Sequence, residues 1–389
     1  MAKRKTNPSR PKSKASAMRS RDENATAATV RTARIKGLQD RIRQWNCDAL
    51  LITNANDIRY LTGFSGDDSW AVVRQRAKQV HILSDFRFIE AIAQEAPQAK
   101  AITEGVALPK KLAKLAKSLK LGKIAIQADH VTIAARKSLA SELGARNLKD
   151  VDAGLYLQRA VKTDDEVNQI RRALQIQEQG YREMLAFLKP GQTEMEIAAF
   201  LEYRMRALGA DGVSFPTIAA AGANASLPHA VPGQAKVKRN GILLIDWGAK
   251  HAGYCSDLTR VVSLGKMPAK IREIYAIVLD AQLAAIDAIK PGVAEADVDQ
   301  AARDVIEKAG YGKAFGHSTG HGIGLDIHEW PRLSGRSKGV LQAGHVVTVE
   351  PGIYLPGVGG VRIEDDILVT SAGHEVLSTL PKDLESAMI

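Results

Sequence analysis

Apolar positions recur along the chain with two periods, and each change of period marks an element. Ile35, Leu38, Ile42 and Trp45 share one face of a helix expected over 34–46. The run Ala49-Leu50-Leu51-Ile52 that follows is short, apolar and bounded by polar residues, which predicts a buried strand. Further strands are expected at 70–73, 80–83 and 123–126, alternating with helical stretches at 86–95, 108–119 and 132–143. This alternation describes an α/β domain over 34–155. A long amphipathic helix then opens at Thr163-Asp164-Asp165-Glu166, a capping box in which hydroxyl and carboxylate each take an otherwise unpaired amide. It stops at Lys189-Pro190-Gly191, and a second box, Thr193 to Glu196, starts a helix that ends at Gly209.

The same signals return about one hundred residues later. Lys290-Pro291-Gly292 follows a helix over 271–289 and precedes another that ends at Gly310, so the triplet and the terminal glycine both recur at an offset of 101. The strand that starts at Gly241 and delivers Asp246 corresponds to one that starts at Gly344 and delivers Glu350. Gly253 followed by Asp257 corresponds to Gly360 followed by Glu364. The second domain, 156–389, therefore reads as an internal pseudo-twofold duplication of α+β units carrying four paired carboxylates.

Composition narrows the field. Hydrophobic residues make up 45% and charged residues 25% of the 389, a globular balance, and no apolar run nears the ~18 to 20 residues of a membrane span. Cys47 and Cys255 are too few for a disulfide framework, and no apolar stretch follows the basic first residues, so a cytoplasmic protein is expected. Of the net charge of +11, seven charges lie in residues 1–33, a Ser/Ala/Thr-rich tail expected to be disordered and solvated. Loose nucleic-acid or acidic-lipid binding by this tail is the less favoured alternative.

The acids carry the chemistry. A hairpin turning at 250–253 is expected to place Asp246 and Asp257 on one sheet, with Asp257 inside a strand over 254–262. Glu350 follows Val346-Val347-Thr348-Val349, and alternation within 360–369 puts Arg362, Glu364 and Asp366 on one face. Four facing acids repel one another unless cations lie between them, which predicts divalent metal. His317, His321 and His328 fall within twelve residues, and the glycines beside His321 allow close backbone approach.

Asp246 and Asp257 eleven positions apart, Gly320-His321-Gly322-Ile323-Gly324, Glu350-Pro351-Gly352-Ile353-Tyr354 and Val361-Arg362-Ile363-Glu364-Asp365 together resemble the pita-bread metallopeptidases of the M24 type. Residues 34–155, with Tyr60-Leu-Thr-Gly-Phe-Ser-Gly66, resemble the creatinase-like N-terminal domain of the proline-directed branch, that of Xaa-Pro aminopeptidase and prolidase. The resemblance implies a homodimer and two divalent ions, with Asp246 ligating one, Asp257 and Glu364 bridging, and His321 and Glu350 ligating the other. Mn2+ suits this oxygen-rich set, with Co2+ or Zn2+ as alternatives. It further implies Glu350 as proton carrier, His328 at the scissile carbonyl, His317 on the substrate and His229 near the leaving group, so that His229 and His328 both bind substrate and assist catalysis. Arg362 is expected to orient Asp246 or bind the substrate carboxylate. Trp247 and Trp330 are expected to pack, with the proline pocket as one place for them, and Cys255 is expected to be an inert core thiol. The expected reaction is release of an N-terminal residue from peptides with proline second. Dipeptide-only cleavage is the nearest alternative, and methionine aminopeptidase and a non-catalytic binding protein are more distant ones.

Overall fold

The computed structural model describes residues 14–389, with side chains from residue 28 onward. The chain divides into two units, at Leu155 and Tyr156. In the first, six strands lie in the order Lys100–Ile102, His81–Leu83, Trp70–Arg74, Ala49–Ile52, Ile124–Gln127, Leu148–Val151. Ala49–Ile52 is buried throughout, antiparallel to Trp70–Arg74 and parallel to Ile124–Gln127, which explains its unbroken apolar run. The outer strands Lys100–Ile102 and Leu148–Val151 and the helix Ala55–Thr62 are additions to the sequence expectation. That helix is only eight residues long, capped by Asn54 accepting from the Asp57 amide and ended by Gly63 at φ 87°. Its polar start reads as a loop.

The first helix, Lys14–Gln44, begins twenty residues ahead of the expected start. Neither Gly nor Pro occurs between Pro11 and Gly37, so nothing in this Ala-rich stretch breaks the helix. Of the tail expected to be disordered over 1–33, residues 1–13 lie outside the described residues and the remainder belongs to this helix. No helix among the described residues is long and apolar enough to cross a membrane.

The second unit consists of two related halves. Helices Asp164–Phe187 and Glu194–Ala207 accompany strands Ile218–Ala221, Ile242–Trp247 and Leu258–Ser263, and both capping boxes form. Helices Ala269–Ala288 and Glu295–Lys308 accompany strands Gly320–Gly322, Val346–Val349 and Asp365–Val369 in the same spatial order. Gly191 and Gly292, then Gly209 and Gly310, all take φ between 85° and 102°, a conformation that favours glycine, so the repeated triplet and terminator perform one backbone task twice. Ile242–Trp247 is covered on both faces. Leu243, Ile245 and Trp247 pack with Ile170, Leu174 and Leu201, while Ile242 and Leu244 join Ile271, Ile274 and Val278.

Two expected strands are interrupted. Between Tyr254–Cys255 and Leu258–Ser263 the ladder breaks at Ser256 and Asp257, and between Gly359–Arg362 and Asp365–Val369 it breaks at Ile363 and Glu364. Neither acid lies inside a strand; each occupies the gap between two.

Just beyond the second gap, buried Asp365 collects four donors: Arg260 Nη2 at 2.8 Å, Lys382 Nζ at 2.6 Å, Gln282 Nε2 at 2.8 Å and the Ser378 hydroxyl at 2.6 Å. The cations outweigh desolvation and hold its carboxyl down at about 2. Its contribution to stability is complete above about pH 4, where the unfolded group is ionised, and disappears as pH falls through about 2. Asp365→Ala leaves Arg260 buried without its counter-ion and is expected to cost about 3 to 5 kcal/mol, read by denaturant unfolding at pH 7. A loss below about 1 kcal/mol would show that the network contributes little to the fold.

Candidate active site

The two interruptions allow each gap acid to leave its own ladder and bond to the opposite half. The Asp257 amide donates to Asp366 Oδ2 at 3.1 Å, and the Glu364 amide donates to the Thr259 carbonyl at 3.2 Å. Asp257 corresponds to Glu364 and Thr259 to Asp366, so the contact is reciprocal about the pseudo-twofold. The Thr259 hydroxyl then donates to Glu364 Oε2 at 2.7 Å. Register corrects one correspondence drawn from sequence. Asp246 lies opposite Thr259, but Asp366 lies opposite Thr348, so Thr348 holds the position equivalent to Asp246 and Glu350 comes two residues later. The Thr348 hydroxyl donates to Glu350 Oε1 at 3.3 Å.

His321 enters through a strand of glycines. A Cβ at Gly320 would lie 2.0 Å from the Thr348 carbonyl oxygen and one at Gly322 2.2 Å from that of Trp330, so only glycine fits between the neighbouring strands. His321 Nδ1 lies 3.1 Å from the Gly322 carbonyl and must donate to it, which leaves the Nε2 lone pair free. Burial pushes this histidine down to about 3, so it is neutral. Nε2 faces Glu350 Oε1 at 3.4 Å and Asp257 Oδ2 at 3.7 Å. A lone pair against carboxylate oxygens is repulsive unless a cation lies between them.

The acids have the same requirement. Burial, then mutual repulsion, raises Asp257 and Glu364 well above the usual carboxylate range. Burial also raises Asp246 and Asp366 and pushes Glu350 up to about 8. Among the described residues, Asp246 Oδ1, Asp257 Oδ1 and Asp366 Oδ1 are buried with no hydrogen-bond partner. Ligand atoms of Asp257, His321 and Glu364 all lie within 4.8 Å of one another, close enough to hold one ion. Oxygen-rich donors, an imidazole lone pair and orphaned buried oxygens fit a divalent metal.

Arg362 and the other histidines surround this cluster. Arg362 Nη2 donates to Asp246 Oδ2 at 2.5 Å, Nε to the Thr259 hydroxyl at 3.0 Å, and Nη1 to the Tyr354 hydroxyl at 2.7 Å and the Pro228 carbonyl at 3.4 Å. Engaged in this way inside the protein, it orients Asp246. The Tyr354 hydroxyl donates a hydrogen bond to His317 Nε2 at 2.8 Å, and His317 Nδ1 donates to the Ser318 carbonyl at 2.8 Å. The His328 ring stands edge-on to that of His321, with centroids 4.4 Å apart.

A cavity of about 600 Å3 is lined by His229, His317, His321, His328, Asp246, Asp257, Glu350, Glu364 and Arg362, all nine candidates from the sequence. Phe215, Pro216, Val231, Pro232 and Arg332 also form part of its wall. Trp247 does not reach it. One residue past Asp246 on a strand, it faces the other way, stacks on Tyr181 at 4.7 Å and donates to the Gln177 carbonyl at 3.2 Å. Trp330 packs on Tyr156 and is also absent from the lining. Cys255 is fully buried and burial pushes its thiol up to about 11, an unreactive state. Sequence reasoning missed the roles of Thr259, Tyr354, Asp366 and Arg332. Tyr354 ends one of the motifs and Asp366 was placed on the right face, whereas Arg332 carried no signal.

The pattern described as Metallopeptidase family M24 matches residues 168–371, and that described as Creatinase/Prolidase N-terminal domain matches residues 34–161. The uncharacterized peptidase YqhT of Bacillus subtilis (strain 168) is 37% identical over 351 residues, 90% of this chain and 99% of its own. Among solved structures, the Xaa-Pro dipeptidase from Bacillus anthracis superposes with a TM-score of 0.87 at 37% identity, covering 93% of this chain and all of its own. The X-Pro aminopeptidase from Thermotoga maritima MSB8 gives 0.82 at 37% identity over 88% and 99%. With its carboxylate and histidine cluster set between two duplicated halves, in a unit that follows a creatinase-like domain in the sequence, this chain belongs to metallopeptidase family M24 and carries that family's pita-bread catalytic fold.

Proposed function

We propose that this protein is an Xaa-Pro aminopeptidase, which hydrolyses the bond between an N-terminal residue and a following proline. The observation that carries this reading is the single cavity in which the ligand-type cluster and three further histidines face an apolar wall of Phe215, Pro216, Val231 and Pro232. Such a wall suits a pyrrolidine ring. Asp246, Asp257, His321, Glu350 and Glu364 would hold two divalent metal ions, Mn2+ being favoured by the oxygen-rich set. When bound, such ions supply a water acidified toward neutral pH and polarise a carbonyl oxygen. Glu350, which lines the cavity beside His321, is suited to take a proton from that water and return it to the leaving proline nitrogen. His328 is placed to donate to the scissile carbonyl oxygen as charge develops there. His317, kept neutral by burial and held by Tyr354, and His229, which also lines the cavity, position the peptide.

Arg332 supports the dipeptidase alternative. Its exposed guanidinium lines the cavity with no hydrogen bond or ion pair to any described residue, so it is free to receive the terminal carboxylate of an Xaa-Pro dipeptide. Relatives of both kinds are 37% identical to the chain. We also propose at least a dimer, located in the cytoplasm.

Mn2+-loaded protein is expected to cleave Ala-Pro-Ala before proline and to leave Ala-Ala-Ala intact, with activity abolished in Asp257→Ala. If Ala-Pro alone is cleaved, and Arg332→Gln removes that cleavage, the protein is a dipeptidase; if no proline peptide is cleaved, the proposal fails. The raised carboxyls also predict a reversal with metal. Folded groups that hold protons more tightly than unfolded ones favour folding below about pH 4 and lose that advantage as pH rises toward about 8, where Glu350 ionises. Chelated protein should therefore melt at a lower temperature at pH 8 than at pH 5, and Mn2+ should restore most at pH 8; a chelated protein equally stable at both would count against a metal-dependent cluster. Light scattering at micromolar concentration is expected to give at least twice the 42.0 kDa chain mass, and a monomer would refute the dimer.

A further inference from the structure

The duplication repeats one further feature that the metal-site chemistry does not use. Glu194 and Glu295 are 101 residues apart, the same offset as the two Lys-Pro-Gly triplets, and each is the first residue of its helix, Glu194–Ala207 or Glu295–Lys308. Both are almost fully buried, with 1% and 3% exposure. Neither has a cationic partner among the described residues. The Glu194 carboxylate instead turns toward a loop that forms part of the cavity wall.

Glu194 Oε1 accepts from the Ala221 amide at 2.7 Å and from Asn224 Nδ2 at 2.9 Å, while Oε2 accepts from the Gly233 amide at 3.0 Å. Ala221 and Gly233 are the two ends of the segment that carries Pro228, His229, Val231 and Pro232 into the cavity. Ala225 and Ala230 seat the segment in the core, whereas Leu227 and Val231 are exposed, by 56% and 85%. A carboxylate taking three donors ties the two ends of the segment to one helix start. In the second half Glu295 makes no such set of bonds: its Oε2 is buried without a hydrogen-bond partner, and the nearby Ser337 hydroxyl donates to the Arg332 carbonyl. A Cβ at Gly339 would lie 2.1 Å from the Glu295 Oε1, so the chain passes close over this carboxylate without being tied to it.

We propose that Glu194 is a positioning residue that anchors the loop presenting His229 and its apolar neighbours to the peptide cleft. The consequence for the reaction rests on the Xaa-Pro reading given above; the anchoring itself does not. Glu194 acts through His229 and touches neither metal nor substrate. Glutamine in its place would turn an NH2 group toward the Gly233 amide, setting donor against donor and opening one end of the loop.

The test combines kinetics with amide hydrogen exchange on the full-length Mn2+-loaded protein. Glu194→Gln is expected to lower kcat/KM for Ala-Pro-Ala by about tenfold, but by less than about twofold in a His229→Ala background, because partners that act as a unit are not additive. Metal content should remain that of the parent, and the Ala221 and Gly233 amides should lose protection while the rest of Glu194–Ala207 retains it. Asn224→Ala, which removes one donor and leaves the buried carboxylate in place, should give a smaller loss in the same direction and guards against a Glu194 variant that does not fold. Equal losses in both backgrounds, or unchanged amide protection, would overturn the proposal. If the parent enzyme cleaves no proline peptide, the functional reading falls while the exchange data still decide the anchoring.

Discussion

The catalytic unit depends on the confinement of like charge. Asp246, Asp257, Glu350, Glu364 and Asp366 share one water-poor space, and Asp257 alone feels the other four. Such a cluster cannot be fully ionised without compensation, and it can be built only where surrounding structure resists its dispersal. That resistance comes from apolar packing on both faces of Ile242–Trp247 and from the reciprocal amide contacts across the pseudo-twofold. The stability of the fold and the chemistry of the site are in this sense opposed, and the two helix-backed halves hold the acids together.

Duplication supplies the symmetric part of the site, and departure from symmetry supplies the rest. Asp257 and Glu364 occupy equivalent gaps. Asp246 and Glu350 are not equivalent in register, and His321 has no histidine partner, because the corresponding first-half strand, Ile218–Ala221, is Ile-Ala-Ala-Ala. One side of the cluster therefore carries a carboxylate held by Arg362, and the other a carboxylate with an imidazole. Two ions in such a site would meet different donors, although the backbones around them are related.

Much of this was legible in the sequence because local rules were strong. The capping boxes at Thr163 and Thr193 and the glycines at 191, 209, 292 and 310 are dictated by a few neighbouring residues, and they appear where expected. The nine site residues reached one cavity because each lay in a motif or at a repeat position. What stayed hidden was set by distant contacts. Alternation within 254–262 and 360–369 gives no sign that the ladder opens at Asp257 and Glu364, since the bonds that replace it come from the opposite half. Trp247 follows an acid and looks available to the cavity, yet the strand period turns it toward Tyr181. Arg332 is one exposed arginine among many until the fold places it on the wall.

The Arg362 network explains how a site so acidic can still bind a peptide in a defined orientation. Its guanidinium offsets the charge of Asp246, one of the five carboxylates. The same side chain donates to Tyr354, whose hydroxyl is then directed to His317 Nε2. Tyr354 has no second proton to give, so the direction of this chain is fixed from Arg362 outward, and the Nδ1 proton of His317 is fixed on the Ser318 carbonyl. One cation thus sets the carboxylate on the metal side and, through a phenol, the tautomer on the substrate side. Lysine could supply the charge but not donors in three directions within one plane, which is why the position between the two halves requires a guanidinium.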